Sequence, residues 1–354
     1  MKRTILLLSA FFTVVLPVGV FANSAPVVSN VTAAQRQDAS NLVDIYYDLA
    51  DADGDTCTIW VVASNDGGMS WRVPVVTVSG EVGSGAAPGL SKYIIWDAGA
   101  DIPGKVGNFR VRVYADDGKG PAPMVLVPAG EFPYQNTSDP AKWVFLGSFM
   151  IDKYEVTNQF YCQFLNNADP TGEHWDGLME IDRSGDPANY YYTVVPGREN
   201  YPIRFVNCYD AEAFAAWRSN LDGVTYHLPT EQQWEKAAAW DPVQQHYYLY
   251  GFHRDDIDCT WCNYNYCYGE PLPVGSFNGT GGKNNACSYY GCYDMSGNLW
   301  EWTSSIHPLG AEYRVVHAGW AWDVAANCRT SVRAYRNQSW RRLDMGFRLV
   351  LDFQ

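Results

Sequence analysis

Positive charge is scarce in this sequence: 25 Lys and Arg stand against 39 Asp and Glu, a net charge of −14. A chain this acidic is repelled by nucleic acid and by anionic lipid, so neither is expected as a partner. After Val20 no apolar run is long enough to span a bilayer as a helix, which excludes a membrane span in the mature chain. Internal repeats and low-complexity tracts are missing, which excludes a solenoid. No serine-hydrolase elbow or phosphate-binding loop is present. The six histidines (His174, His227, His246, His253, His307 and His317) show no H-x-x-x-H spacing, so a helix-borne histidine metal site is not expected.

What is present begins with a leader. Lys2 and Arg3 precede an apolar run from Ile5 to Val20, and Val20-Phe21-Ala22 ends in a small residue suited to signal peptidase. Residues 1–22 read as a signal peptide, so the protein is expected to be secreted, periplasmic or on the cell surface. Nine cysteines in an exported chain favour disulfides. Five of them cluster: Cys259, Cys262, Cys267, Cys287 and Cys292. The spacing Cys259-x-x-Cys262 also suits half of a zinc site, but an oxidising compartment favours disulfides. The odd total leaves at least one thiol over, and Cys328 is the first candidate. With 14 Trp and 24 Tyr, the chain suits a loop-rich fold packed by rings, or a surface for protein or carbohydrate. Asn30, Asn136, Asn278 and Asn337 begin glycosylation sequons.

Residues 23–117 read as an all-β sandwich of immunoglobulin or fibronectin-III type. Val43, Ile45, Tyr47 and Leu49 alternate with Asp44, Tyr46 and Asp48, the period of a half-buried strand. The beat recurs at Cys57, Ile59, Val61 and Ala63, at Tyr93 and Ile95, and at Phe109, Val111, Val113 and Ala115. Asp51-x-Asp53-x-Asp55 starts like an EF-hand loop, but its twelfth position is Val62 where a bidentate Glu is needed, so a turn is the better reading. Ser64-Asn65-Asp66-Gly67-Gly68-Met69-Ser70-Trp71 has the S-x-D-x-G-x-[ST]-W pattern of a hairpin whose Ser and Asp side chains bond its own amides. Residues 118–123, rich in Gly and Pro, form a linker. From 124 to 354 helix and strand mix. Thr157 is expected to cap one helix, Asp210 to open a second, and Thr230-x-x-Gln233 to form the capping box of a third. The fold class is therefore α+β.

Five blocks in the second part occur in a characteristic order: Val125-Leu126-Val127-Pro128-Ala129-Gly130-Glu131-Phe132; Asp152-Lys153-Tyr154-Glu155-Val156-Thr157-Asn158; Tyr226 to Ala238 with Leu228-Pro229-Thr230-Glu231 and Trp234-Glu235; Gly291 to Trp302 with Gly297-Asn298-Leu299-Trp300-Glu301-Trp302; and Gly346-Phe347-Arg348. Together they resemble the formylglycine-generating-enzyme, or sulfatase-modifying-factor, family over residues 124–354. The resemblance implies a C-type-lectin-like architecture with bound calcium, held by Asp294 and Glu301 with the carbonyls of Gly297 and Leu299. A second calcium would begin at Asn263 and Tyr264, though no match for its remaining acidic ligand is found. The family's enzymes hold copper(I) between two cysteines five residues apart. Counting back from Gly346 puts the second cysteine position at Thr330. Counting forward from Gly319 puts Cys328 at the first, with Arg333 five further on. Either register offers at most one thiolate where two are needed. The expectation is therefore a non-catalytic binding or structural protein, a surface or fibre subunit included. Trp320, Trp322, Arg333, Tyr335, Trp340, Arg341 and Arg342 would present a protein or carbohydrate site, or contact copies of the same chain. The alternatives are a copper-dependent formylglycine-generating oxidase, in which Cys328 would be catalytic, and an inactive sulfatase-binding homologue.

Overall fold

A computed structural model describes residues 23–105, 109–120 and 122–353. The leader falls outside these residues, as does Pro121 of the linker. In the first part seven strands make two sheets: β1 (Val27–Gln35), β2 (Leu42–Ala50), β3 (Cys57–Ser64), β4 (Val78–Gly80), β5 (Gly83–Ala86), β6 (Gly89–Asp97) and β7 (Arg110–Asp116). One sheet runs β1-β2-β6-β4 and the other β5-β3-β7, all antiparallel. Ile45, Tyr47 and Leu49 from β2 meet Ile59, Val61 and Ala63 from β3 in one core. Alternation drives this packing, because only every second side chain faces inward.

β6 departs from its expected register. Lys92, Ile94 and Trp96 are its buried residues, one step out of phase with Tyr93 and Ile95. The reason is polar: the Lys92 ammonium turns inward to pair with Glu81, while Tyr93 stacks on Tyr46 at 4.9 Å. The Ser64–Trp71 hairpin forms as its pattern dictates. Ser64 Oγ accepts from Gly68 N at 2.8 Å, Asp66 accepts from Ser70 N at 2.9 Å, and Trp71 packs beneath.

From residue 124 onward short strands surround three helices. One sheet orders Tyr226–His227, Val350–Asp352, Phe149–Asp152 and Met124–Val127, so the chain's end closes against its middle. A second orders Ala334–Asn337, Tyr313–His317, Trp300–Ile306 and Met345–Gly346, the last pair being parallel. After a short α1 (Ala98–Asp101) come α2 (Asn158–Ala168), α3 (Cys208–Asp222) and α4 (Glu231–Ala239). Thr157 caps α2 and accepts from Phe160 N. The cap of α3 is Asn207; Asp210 sits three residues in, returning the bond as the second half of a capping box. Thr230 and Gln233 cap α4 in the expected way. Phe160, Phe164, Phe214, Trp302 and Phe347 fill the main core between α2, α3 and the second sheet.

Candidate active site

α4 is short but carries an unusual load. Its capped start fixes Trp234, Glu235 and Lys236 pointing into protein, each buried. Trp234 Nε1 donates to Glu301 Oε2 at 2.8 Å, and His317 stacks on the indole at 4.7 Å. Burial and the charge of Arg333 push the His317 imidazole down to about 3, so it stays neutral. Lys236 Nζ donates to the carbonyls of Pro128 and Gly130, at 2.7 and 3.0 Å; burial pulls it down to about 7.

Glu235 is fully buried behind a cleft and is joined to it through Tyr247. Its Oε1 accepts from Tyr247 Oη at 2.9 Å and from the Gln135 amide, while Oε2 is buried without a partner. Burial lifts this carboxyl to about 8. Tyr247 lines a cleft of about 480 Å³ together with Trp143, Trp240, Pro133, His246 and Asp255. The two indoles meet edge to face at 5.4 Å, and Trp143 Nε1 is buried without a partner. His246 is paired with Asp255 at 2.9 Å. Behind the floor, Thr330 Oγ1 lies 3.3 Å from Tyr247 Oη and donates to Tyr248 O at 3.0 Å. The position assigned to the family's second cysteine thus sits beside this cleft. A poised carboxyl, a phenol bonded to it and apolar rings around an open volume can hold a small substrate and move a proton.

The copper arrangement does not fit here. Thr330 offers a hydroxyl, and Arg333 is committed to Glu231 at 2.9 Å. Cys328 does have a sulfur neighbour, Cys262, which shares one small core with it. Both are sealed, at 0% and 1% exposure, and neither lines the cleft. Burial and the contact with Cys328 raise the Cys262 thiol well above its usual value, so it is no ready thiolate.

The calcium residues fit in part. Both Glu301 oxygens are taken by Arg348, each at 2.7 Å, inside fully buried protein. Asp294 accepts from Gly275 N at 2.7 Å, and burial lifts it to about 6. Asn298 links the neighbourhood: its Nδ2 donates to Glu155 at 2.8 Å, and its Oδ1 accepts from Asn263 at 3.3 Å. Glu155 Oε1 and Asn263 Oδ1 remain buried without partners. Tyr264 packs against the Cys262–Cys328 core. Among the described residues, the converging set of three acidic ligand atoms is instead Asp51, Asp53 and Asp55.

The ring and arginine residues expected to form one binding face have separate partners. Trp320 packs on Trp322 at 4.4 Å, and Trp322 stacks on Tyr266. Tyr335 stacks on His307 at 4.5 Å. Trp340 is half exposed. Arg341 clamps Asp210 at the start of α3, and Arg342 pairs with Asp344. The cleft is not legible in the sequence because two stretches far apart in the chain, 133–143 and 240–255, build it; the weak signal is Trp234-Glu235, a carboxylate inside an apolar helix stripe.

Comparison with known proteins bears on what this site does. The chain is 29% identical over 247 residues to "Hercynine oxygenase" of Mycobacterium tuberculosis, covering 60% of the chain and 55% of that protein. It is 28% identical over 275 residues to "Hercynine oxygenase" of Mycolicibacterium smegmatis, covering 64% and 61%. The chain therefore spans less than two thirds of the length of these relatives. "Inactive C-alpha-formylglycine-generating enzyme 2" of Mus musculus is 28% identical over 250 residues, covering 59% and 78%. Among solved structures, "Crystal Structure of CarF" superposes with a TM-score of 0.51 at 21% identity, covering 66% of this chain and 99% of that one, which shows the fold. The expectation of a non-catalytic binding or structural protein is corrected by the oxygenase relatives, which favour the oxidase alternative. That expectation rests on a cysteine count, and a pair missing in both registers does not remove a site built by other residues. Residues 112–353 match the sulfatase-modifying factor enzyme 1-like domain, and this chain belongs to that family.

Proposed function

We propose that the chain is an oxidase of the formylglycine-generating type in the broad sense, binding its substrate in the aromatic cleft above Glu235. One observation carries this reading: a buried carboxyl held near 8 is bonded to a phenol that opens into a walled cleft. Such a group gives and takes protons near neutral pH, which is what general acid–base work requires. Trp143 and Trp240 grip the substrate by ring contact, and Trp143 Nε1 supplies a donor. Tyr247 and Glu235 move the proton.

The test is dioxygen uptake with mass spectrometry of two substrates: a C-x-P-x-R peptide, and hercynine. Each is supplied in turn to the protein as purified. Turnover is expected with one of them, and Tyr247→Phe should lower kcat by about 100-fold with little change in KM. Absence of oxygen uptake and of product with both substrates would sink the reading.

The chain is further read as an exported protein whose first seven strands form an immunoglobulin-like module. Calcium is assigned to Asp294 and the carbonyls of Gly297 and Leu299. Added calcium should raise Tm, and Asp294→Ala should abolish that rise; a Tm indifferent to calcium and to chelator removes the assignment.

A further inference from the structure

We infer that Cys262 and Cys328 are an oxidisable dithiol that closes into a disulfide, tying the loop around Asn263 to the loop beneath the cleft. Cys262 lies inside the ring already closed by the Cys259–Cys267 disulfide. Cys328 ends the turn Ala325–Cys328. Neither loop is free to wander, because Ser296 holds both. The Cys262 thiol donates to Ser296 O at 2.9 Å, and Ser296 Oγ donates to the carbonyl of Cys328 at 2.7 Å.

Two glycines make the room. A Cβ on Gly297 would stand 2.7 Å from Cys262 Sγ, and one on Gly319 would stand 2.9 Å from Cys328 Sγ. Both glycines are in the left-handed region, at φ 73° and 74°. Any side chain at either place would push a sulfur out of its position. Both thiols belong to one small core with Tyr250, Phe252 and Phe277, and they contact each other there. Two sulfurs brought together by a shared anchor and separate glycine roofs are a preformed partner pair.

The step needs an oxidant, and a small disulfide such as glutathione disulfide supplies it. One cysteine gives up its proton and attacks the oxidant, releasing one reduced thiol and forming a mixed disulfide. The other then loses its proton and displaces the second reduced thiol. Two protein thiols are oxidised and one disulfide is reduced to two thiols. Because burial disfavours the thiolate, the reaction runs while the loops are still assembling, and the finished bond is shielded from reductants. Thr330 follows Cys328 by two residues and packs against Tyr247, so the link also stiffens the cleft floor. Cys328 is then a bonded residue and not the leftover thiol.

The full chain, exported into an oxidising compartment or refolded with glutathione disulfide, is unfolded in alkylating reagent without reductant. The thiols that react should number two fewer than the seven now unbonded. Tryptic digestion should join the peptide 255–283, its Cys259–Cys267 bond intact, to the peptide 315–329, two hydrogens lighter than the sum of those two peptides. Alkylated Cys262 and Cys328 in that digest, or Cys328 linked to another cysteine, overturns the inference. A second measurement does not depend on the map. Cys328→Ser should reduce the loss of Tm that reductant causes, which Cys259–Cys267 alone then sets. An unchanged reductant effect would also overturn it. Neither readout depends on catalysis, so the dithiol and the oxidase reading stand or fall separately.

Discussion

Arg348→Leu is expected to cost about 3–5 kcal/mol of stability, enough to leave much of the chain unfolded at 37 °C. Arg348 is fully buried and binds five oxygens: both of Glu301, and the carbonyls of Asp152, Lys153 and Tyr293. Leucine would leave the Glu301 carboxylate with only the Trp234 indole, at a fully buried position. The three carbonyls would also lose their donor, each at about 1 kcal/mol or more. The pair is therefore a poor place to remove one partner, although a buried ion pair in itself adds little net stability. Urea unfolding followed by fluorescence measures the effect. Should Arg348→Leu express too poorly, Arg348→Lys keeps the charge but loses the forked geometry, and its midpoint should still fall clearly. A loss below about 1 kcal/mol in either variant would show that Glu301 relaxes to another partner. The same pair occupies both oxygens of the carboxylate assigned to calcium from the resemblance. Its charge is already neutralised by Arg348.

What could be read in the sequence was local. Thr157 and the Thr230–Gln233 box announced two helix starts because a cap is written within four residues. The hairpin from Ser64 to Trp71 was legible for the same reason. Asp210 shows the limit of that logic: it does belong to a helix start, but Asn207 is the residue that caps. Alternation placed β2 and β3, then failed by one residue on β6, where Lys92 turns inward to meet Glu81 and a simple hydrophobicity beat cannot anticipate it. Contacts between distant segments were out of reach altogether. Nothing in the spacing of Cys262 and Cys328 says that Ser296 brings them together. Arg341 looked available for a ligand until the fold set it against Asp210. The second part was recognised through its ordered motifs, yet those motifs turn out to be chiefly architectural: Trp234, Glu301 and Arg348 form one buried knot. The cleft takes Trp143 and Tyr247 from outside any motif, and Glu235 of that same motif region lies buried behind it.

Glu235→Gln should change how stability depends on pH more than it changes stability itself. The carboxyl titrates at about 8 in the folded chain against 4.5 for an ordinary Glu. Between those values the folded state holds a proton that the unfolded state has released. Stability from this group is therefore present in full below 4.5 and is lost as pH rises towards 8. The slope is roughly 1 kcal/mol per pH unit, flattening above 8 where both states are ionised. Glutamine cannot ionise, and its amide oxygen can still accept from Tyr247 Oη and the Gln135 amide. His317 and Lys236 also shift, but both remain in the variant, so their contributions cancel in the difference between the two proteins. Urea midpoints for wild type and variant, taken at pH 5, 6, 7 and 8, isolate the Glu235 contribution. The wild type should lose ground steadily relative to Glu235→Gln across that range, until the variant is the more stable at pH 8. A constant difference would mean that Glu235 reaches water when charged and titrates normally. The cleft would then hold an ordinary carboxylate, and the proton-transfer role assigned to it with Tyr247 would have no basis.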